Sequence, residues 1–346
     1  MMEGKYLYGI IDSSKETDWG ISGLGGLGPA YTVAHQDVGC VVSDYVGADF
    51  GSLPKEEVIR HLLKHQAVVE HVMEKHTVLP VKFGTVLGGG GEAISLLRQG
   101  HRQLVAALGW IQDKVEIEVA ATWDTKQVLR EISAEPEIAQ AREALAGRLG
   151  GPTLDERLHL GQTVKAALDR RRDSYRVRMI ESLRPAVVDL QLHALVSDEL
   201  VMNVAFLVER SGQEEFDRRV RQLNDLFHDQ IQFRILGPLP PYSFATVEIT
   251  RWSPEKIEEA RQLLQLGEDI SETQVRKAYR HLAAETHPDR RPGDEMAKVR
   301  FLKLRQASDL LMSYCRGGRE SEGGLSLAIR RTGSEEVQHS LAEVMA

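Results

Sequence analysis

Val78-Leu79-Pro80-Val81-Lys82-Phe83-Gly84-Thr85-Val86-Leu87 is the stretch around which the chain is organised. It is a short apolar run with β-branched residues at four positions, and Gly88-Gly89-Gly90-Gly91 ends it. A run of this length, bounded by turn residues, predicts a strand that is buried on both faces. Pro80 lacks a backbone N–H, so it should lie at the start of the strand or at a bulge. We expect the run to be the central strand of a first sheet.

The composition is that of a soluble protein with more than one domain. The chain has 346 residues, 42% of them apolar and 27% charged, which predicts two or three domains. A net charge of −8 argues against general nucleic-acid binding, which needs a basic face. Cys40 and Cys315 lie far apart, so no disulfide framework is implied. With no apolar run long enough to span a bilayer and no signal-peptide pattern, we expect a cytoplasmic protein.

The segments around the opening stretch predict one sheet with helices on one face. Strand-like runs cover residues 6–11, 31–35, 38–45 and 115–123, and helical runs cover 54–75 and 92–110. This order predicts an α+β domain over residues 1–125 that is broadly ferredoxin-like. The expected inward faces of the two helices are Val58, Leu62, Val69, Val72 and Met73, and Ile94, Leu97, Leu104, Val105 and Leu108.

Two glycine-rich segments match phosphate-binding motifs in their letters but not in their context. Gly23-Leu24-Gly25-Gly26-Leu27-Gly28 reads G-x-G-x-x-G, a motif that needs a preceding strand and a following helix N-terminus. Pro29 and a strand-like run follow instead, so a surface loop is the better interpretation. The Gly88–Gly91 run lacks the Lys-Ser/Thr of a P-loop. We therefore expect no cofactor.

The histidine and arginine clusters are also better explained without a ligand. His61 and His65 share one helical face and could hold a metal, but the segment lacks the glutamate of H-E-x-x-H. Carboxylates at 169 and 173 flank Arg170-Arg171-Arg172, which favours a solvated helix face over an anion site. No nucleophile accompanies a suitably placed base, so we expect no enzyme activity and no metal.

Four motifs follow one another in a recognisable order. They are Lys5-Tyr6-Leu7-Tyr8-Gly9-Ile10, Val42-Ser43-Asp44-Tyr45, His65-Gln66-Ala67-Val68-Val69-Glu70 and Leu79-Pro80-Val81-Lys82-Phe83-Gly84-Thr85. In this order and spacing the chain resembles the gas vesicle protein F/L (GvpF/GvpL) family. Val115-Glu116-Ile117-Glu118-Val119, followed by Trp123-Asp124, fits the next strand of that family. Lys82 stands where the family more often has arginine.

Residues 126–250 predict a helical hairpin followed by a second α+β domain, also ferredoxin-like. Helical runs cover 127–149 and 153–183, and a β-β-α-β pattern with one last strand at 245–249 follows. The segment Gly237-Pro238-Leu239-Pro240-Pro241-Tyr242-Ser243-Phe244 resembles the closing motif of the same family, with Leu239 in place of tryptophan. We expect a structural role for the family-motif residues Pro80, Lys82, Phe83, Gly84, Thr85, Gly237, Pro238, Pro240, Pro241 and Tyr242.

A small all-α segment is predicted for residues 254–316. Three helical runs are present, and the second continues into Lys277-Ala278-Tyr279-Arg280-His281-Leu282-Ala283-Ala284-Glu285-Thr286-His287-Pro288-Asp289. This string resembles the J-domain of the Hsp40 (DnaJ) co-chaperones. Its opening helix departs from the usual Tyr-Tyr-x-x-Leu-Gly pattern, since the chain has Gln262-Leu263-Leu264-Gln265-Leu266-Gly267. Residues 317–346 read as a glycine-rich linker and a flexible tail.

The J-domain resemblance implies a contact with the acidic surface of an Hsp70 ATPase domain. Pro288 would end the second helix and fix a tight loop that presents His287 and Asp289. Between residues 274 and 291 basic side chains outnumber acidic ones, which leaves a basic face. The implied Hsp70 contacts are His287, Pro288, Asp289, Arg276, Lys277, Arg280 and Arg290.

Together the two resemblances imply a non-enzymatic gas vesicle assembly or accessory protein, associated with the vesicle. It would bind the hydrophobic shell subunit (GvpA) and other gas vesicle proteins, and its J-like domain would recruit Hsp70. An apolar, strand-rich subunit is an aggregation hazard until it is assembled, which gives this pairing a physical logic. The alternative is a general J-domain co-chaperone whose first 250 residues are a client-binding adaptor. An enzyme is a third hypothesis, for which no motif fits its structural context.

Overall fold

The computed structural model describes residues 2–48, 50–147, 151–227, 230–251, 253–286, 295–317 and 325–331. The chain forms two units. The first comprises Met1–Trp110 and Thr246–Arg330, and the second is built on Ile111–Ala245. The first unit is therefore discontinuous in sequence, with the second unit inserted into it. The predicted α+β fold with a C-terminal helical segment is confirmed.

The first unit is built on one antiparallel sheet. Its strands are β1 (Met2–Ile11), β2 (Asp18–Ser22), β3 (Pro29–His35), β4 (Val38–Gly47), β5 (Val78–Pro80) and β6 (Val86–Leu87). The order is β2-β3-β4-β1-β5, and β6 also pairs with β1. The central strand is β1, whose second half is apolar and has buried side chains from Tyr6 to Ile11 apart from Gly9, which has none.

The opening stretch does not form one central strand, as the sequence had suggested. It divides into β5 and β6, and β5 lies at the end of the strand order. Gly84 has a φ of +86°, a left-handed conformation that reverses the chain. The Thr85 hydroxyl donates to the Lys82 carbonyl oxygen at 2.6 Å and closes the turn. Pro80 ends the edge strand β5, where its missing N–H removes little from the ladder.

Two helices of the first unit carry both buried and exposed apolar residues. They are α1 (Lys55–Met73) and α2 (Gly90–Ile111). The predicted inward residues Val69, Val72, Met73, Leu97, Leu104 and Leu108 are buried. By contrast, Leu62, Ile94 and Val105 are exposed and Val58 is half-buried. The first turns of α1 therefore expose an apolar side to solvent.

The second unit contains four strands and four helices within the described residues. They are β7 (Lys114–Thr122), α3 (Thr125–Ser133), α4 (Pro136–Ala146), α5 (Leu154–Leu183), β8 (Asp189–Leu192), β9 (Leu200–Glu209), α6 (Gln213–Leu226) and β10 (Gln232–Leu239). The antiparallel order is β10-β7-β9-β8. The sequence analysis assigned β7 to the first domain, but its pairing with β9 and β10 places it in the second sheet.

The strand that follows the closing motif returns to the first unit. This strand, β11 (Ala245–Arg251), pairs with β12 (Leu325–Arg331) in a two-stranded sheet. Val247 also forms a parallel bridge with Val81, and the Lys82 N–H donates to the Val247 carbonyl at 2.9 Å. The tail was expected to be flexible from residue 317, but β12 is ordered by these contacts. Residues 318–324 and 332–346 lie outside the described residues.

Three helices lie between β11 and β12. They are α7 (Pro254–Leu263), α8 (Glu272–Thr286) and α9 (Glu295–Gly317). The hydroxyl of Ser253 caps α7 by accepting from the Lys256 N–H, as its position before Pro254 suggests. In the part of the chain that is described, no helix is both long enough and apolar enough to cross a bilayer.

Candidate interaction surfaces

The helical segment has its own hydrophobic core. Side chains of all three helices meet in it, including Ile257, Leu264, Ile270, Val275, Leu282, Leu304, Ala307 and Leu311. Tyr279 is half-buried against this cluster. Leu264 is fully buried, so the altered opening helix keeps its apolar contact with the other two. At the start of α8 the Ser271 and Gln274 side chains each accept from the other's backbone N–H, which fixes the first turn.

One face of α8 is basic and exposed. Arg276, Lys277 and Arg280 are all exposed, on the side of the helix away from the buried Val275 and Leu282. Arg276 lies 3.3 Å from a Glu272 carboxylate oxygen, an exposed ion pair that contributes little to stability. The residues of the predicted Hsp70 contact that are described therefore share one accessible surface.

The remaining predicted contact residues, His287, Pro288, Asp289 and Arg290, lie outside the described residues. The helix before them ends at Thr286, whose side chain is buried and donates to the Leu282 carbonyl at 3.1 Å. The helix after them begins at Glu295. Their role in binding stays a prediction from the sequence.

The turn of residues 82–85 is fixed by an aromatic cluster. The Tyr6 hydroxyl accepts from the Gly84 N–H at 3.1 Å, and the Phe83 ring lies 5.1 Å from Phe50 and 5.8 Å from His65. The Leu7 N–H donates to the Thr85 carbonyl at 3.0 Å. Lys82 projects from the turn, with its Nζ 3.9 Å from Glu248. The turn thus joins β1, α1 and β11.

His65 lies inside the first unit and not on a solvated helix face. It is buried, and its Nδ1 lies 2.9 Å from the Tyr6 hydroxyl. Burial lowers the pKa of His65 to about 4, so the ring is neutral near pH 7. His61 instead packs edge-on against Phe50. Over the described residues no group of three or more His, Cys, Asp or Glu side chains could hold a metal ion.

Two arginines of the run in α5, Arg171 and Arg172, are less exposed than the predicted solvated helix face implies. Arg171 pairs with Glu131 and Glu135 at 2.8 and 2.7 Å. The largely buried Arg172 lies 2.9 Å from Asp169 and places its guanidinium over the Trp123 ring. These pairs fasten α5 to its neighbours. The arginines of these pairs are therefore structural.

The closing motif is anchored on a buried carboxylate. Glu116 of β7 is 1% exposed and accepts from the Ser243 N–H at 2.8 Å and from the Ser243 hydroxyl at 2.7 Å. Burial raises the pKa of Glu116 to about 7, although the Ser243 hydrogen bonds act in the opposite direction. His193 Nε2 lies 3.4 Å from the same hydroxyl. Since both the N–H and the hydroxyl of Ser243 donate to the carboxylate, the pair anchors the closing motif on β7.

The prolines of the closing motif divide into an exposed and a buried part. Gly237 and Pro238 are exposed, whereas Leu239, Pro240 and Pro241 are buried. Gly237 has a φ of +144°, and a Cβ there would lie 2.9 Å from the Glu116 carbonyl oxygen. Only glycine fits that approach. Tyr242 and Phe244 follow, and the Tyr242 N–H donates to the Pro240 carbonyl at 2.7 Å.

Sequence reasoning missed the burial of Glu116. Val115 to Val119 alternates apolar and acidic residues, which predicts carboxylates on a solvated face. The structure covers that face with Ser243, a residue far along the chain. Residues 23–28, predicted to be a surface loop, join β2 to β3 with no helix after them, and Leu24 in this segment is buried.

An apolar stripe lies exposed on α1. It consists of Ile59, Leu62 and Leu63, with 47%, 45% and 62% of each residue accessible. The spacing i, i+3, i+4 places the three side chains on one side of the helix. Contiguous exposed apolar groups of this kind mark interaction surfaces.

Comparison with known proteins agrees with these motifs. The family model for the gas vesicle synthesis protein GvpL/GvpF matches residues 4–246, and the DnaJ domain model matches residues 261–315. Gas vesicle protein F of Streptomyces sp. (strain CB03234) is 31% identical over 244 residues, covering 69% of this chain and 98% of the relative.

Two crystal structures share the fold. That of GvpF from Anabaena sp. PCC7120 has a TM-score of 0.62 at 22% identity, covering 70% of this chain and 98% of that chain. That of GvpF from Microcystis aeruginosa has a TM-score of 0.58 at 23% identity, covering 69% and 98%. The chain therefore belongs to the GvpL/GvpF family of gas vesicle proteins, and it carries a DnaJ domain after the part that the family shares.

Proposed function

We propose that this protein assists gas vesicle assembly by binding the hydrophobic shell subunit, GvpA, while its J-like domain brings an Hsp70 to the same client. The observation that carries the proposal is the presence of both modules in one chain, GvpL/GvpF over residues 4–246 and DnaJ over residues 261–315. A subunit that exposes apolar surface before it polymerises is a typical chaperone client. Joining the two modules raises the local concentration of Hsp70 at that client.

The shell subunit binds through the apolar stripe of α1 in this proposal. Ile59, Leu62 and Leu63 are exposed together, although the sequence pattern had assigned Leu62 to the core. Burying them against an apolar partner would contribute about 25 cal/mol for each Å² removed from water. That supports the stripe as the anchor of the interface.

Hsp70 binds at the basic face of α8 in the same proposal. Arg276, Lys277 and Arg280 are accessible together, and the packed core behind them holds α8 rigid. Basic side chains arranged this way attract an acidic partner toward the site and slow its dissociation. His287, Pro288 and Asp289 follow the end of α8 in sequence and complete the proposed contact.

Co-expression with the shell subunit tests the first half of the proposal. Affinity capture of this protein should retain the shell subunit, and electron microscopy should show fewer vesicles when the protein is absent. The double change Leu62→Ser and Leu63→Ser should abolish capture. If capture instead persists in full, the α1 stripe is not the binding surface. If even the unchanged protein captures no shell subunit, the binding half of the proposal is wrong.

The same capture in cells without gas vesicle genes distinguishes the general co-chaperone hypothesis. Few captured proteins are expected there if the shell subunit is the true client. Capture of many unrelated proteins, at levels that match the shell subunit, would favour a general client-binding adaptor.

A further inference from the structure

The J-like helices lie between two strands that pair with each other. The strand β11 leads into α7, and β12 follows α9 and returns to β11. The family match ends at residue 246, and the 244-residue alignment accounts for 98% of the Streptomyces relative. The helices and β12 are therefore additions to the part of the chain that this relative shares. The added segment ends by docking on the shared part.

The inward side of β12 is apolar and its outward side is not. Leu325 is buried, Leu327 and Ile329 are half-buried, and Ala328 and Arg330 are exposed. This period-two pattern is that of a strand with one covered face. The strand therefore has a defined orientation on the surface that receives it.

Gly100 of α2 receives one of these side chains. A Cβ at Gly100 would lie 3.0 Å from Leu327 Cδ1, closer than nearly all real contacts of that kind. The absence of a side chain at Gly100 therefore leaves room for Leu327. Gly109 of the same helix offers a contrast, because a Cβ there would meet nothing within 4 Å.

Charged pairs fix β11 to the same helix and to β12. Arg251 donates to both Glu92 carboxylate oxygens, at 2.8 and 2.6 Å. Glu92 also accepts from the Gly88 N–H at 2.6 Å, near the start of α2. Arg330 Nε lies 3.9 Å from a Glu248 carboxylate oxygen. The surface offered to β12 is thus built from two elements that are fastened together.

From these contacts we infer that β11 and the Gly100 side of α2 form a strand-binding site. Its ligand is an extended segment with apolar side chains at alternate positions, followed by a basic residue. The chain supplies this ligand as its own residues 325–331. The core described for the J-like helices runs from Ile257 to Cys315 and does not include β12. The site therefore serves to hold the J-like helices to the rest of the first unit at both of their ends.

Two valine substitutions in α2 test the site. Gly100→Val would place methyl groups where Leu327 packs, whereas Gly109→Val adds the same side chain to the same helix in open space. Hydrogen exchange of the amides of residues 325–331 is the measurement. We expect exchange at least 10-fold faster in Gly100→Val and unchanged in Gly109→Val, with the amides of α8 and α9 protected equally in both.

A second variant probes the strand instead of the helix. Ala328→Pro removes one backbone donor from β12 at an exposed position, so it should raise the exchange of residues 325–331 without touching α2. Spin labels on the exposed residues 55 and 285, in a Cys315→Ser background, then report the distance from α1 to α8. The distribution of this α1–α8 distance should broaden in Gly100→Val and Ala328→Pro but not in Gly109→Val.

The inference fails if amide exchange at 325–331 is already fast in the unchanged protein, or if the two valine variants behave alike. It also fails if releasing β12 leaves the α1–α8 distances unaltered, because the strand would then not hold the domain. None of these measurements involves the shell subunit or Hsp70. Their outcome is therefore separate from that of the proposed function.

Discussion

Tyr6 and His65 lie 2.9 Å apart, hydroxyl oxygen to ring Nδ1, in the fully buried centre of the first unit. The same hydroxyl accepts from the Gly84 N–H. The Tyr6 hydroxyl of the central strand thus forms hydrogen bonds with His65 of α1 and with the turn at Gly84, which divides the opening stretch into β5 and β6. Residues of the motifs at 5–10, 65–70 and 79–85 therefore meet at this point.

Replacing Tyr6 by phenylalanine removes the hydroxyl and leaves the buried His65 Nδ1 and the half-buried Gly84 N–H without this partner. Each group left unpaired costs about 1–3 kcal/mol, so we expect Tyr6→Phe to lower the free energy of unfolding by roughly 2 kcal/mol or more. Urea denaturation measures this. Tyr31→Phe is the control, because the hydroxyl of this half-buried residue makes an exposed hydrogen bond to Asp44 at 3.4 Å, and it should change stability by less than about 0.5 kcal/mol. Equal effects would show that the buried network adds nothing.

Replacing Gly84 by alanine tests the turn itself. The φ of +86° is unfavourable for a residue with a Cβ, and we expect a loss of about 1–2 kcal/mol. Gly91→Ala is the control, because it lies in α2 with open space around it and should be neutral or stabilising. Thermal unfolding of both variants gives the comparison. A neutral Gly84→Ala would mean that the turn relaxes at no cost.

Stability should fall with rising pH because of Glu116. Its pKa is raised to about 7 from the usual 4.5 of a glutamate, mainly by burial, so the folded state holds a proton that the unfolded state releases. The favourable contribution is complete below pH 4.5 and is lost as the pH rises through 7. Relative to Glu116→Gln, the unchanged protein should lose roughly 3 kcal/mol between pH 4.5 and pH 8. Urea denaturation of both proteins at several pH values measures this difference. If the free energies of unfolding of the two proteins change with pH in parallel, the raised pKa of Glu116 is wrong.

Changing Leu62 and Leu63 together to serine should weaken capture of the shell subunit at least 10-fold. Both side chains are exposed, so the free energy of unfolding should change by less than about 0.5 kcal/mol for each. Val196→Ser, at an exposed apolar residue of the second unit, is the control and should bind normally. Titration with the shell subunit measures the affinity. A loss of binding that tracks a loss of stability would point to misfolding instead.

His287→Gln should abolish stimulation of an Hsp70 ATPase while leaving the helices folded. The double change Arg276→Glu and Lys277→Glu should reduce stimulation at least 10-fold, because it reverses the charge of the basic face. Arg305→Glu, an exposed residue of α9, is the matched control and should have little effect. Steady-state ATP hydrolysis by the Hsp70 is the measurement. No stimulation by the unchanged protein would remove the co-chaperone half of the proposal alone.

The local patterns of the sequence predicted most helices and strands, because apolar spacing and caps act within a few residues. The hydroxyl of Thr153 caps α5 as its position before the helix suggests. The sequence patterns did not predict which strands pair with each other. Nothing near residues 114–122 indicates that β7 pairs with β9, and nothing near 245–251 indicates a return to Val81. Such choices are decided by contacts between segments that are far apart in sequence.

The site residues divide in the same way. Arg276, Lys277 and Arg280 were predicted from the excess of basic residues and the J-domain resemblance, and they lie together on an exposed face of α8. Burial of His65 and Glu116 depends on which distant segment covers them, Tyr6 in one case and Ser243 in the other. A one-residue left-handed turn at Gly84 also leaves no periodic signal, so the opening stretch looked like an uninterrupted strand.

The discontinuity of the first unit has a consequence for its synthesis on the ribosome. Its β-bridge between Val81 and Val247 cannot form until all of Ile111–Ala245 has been translated. At an elongation rate of about 5–20 residues per second that interval is on the order of ten seconds, during which β5 lacks this partner. The second unit, whose sheet is contiguous in sequence, is free to fold first. The nascent first unit is thus an incomplete sheet with an open edge, and the J-like helices emerge only after β11 has closed it.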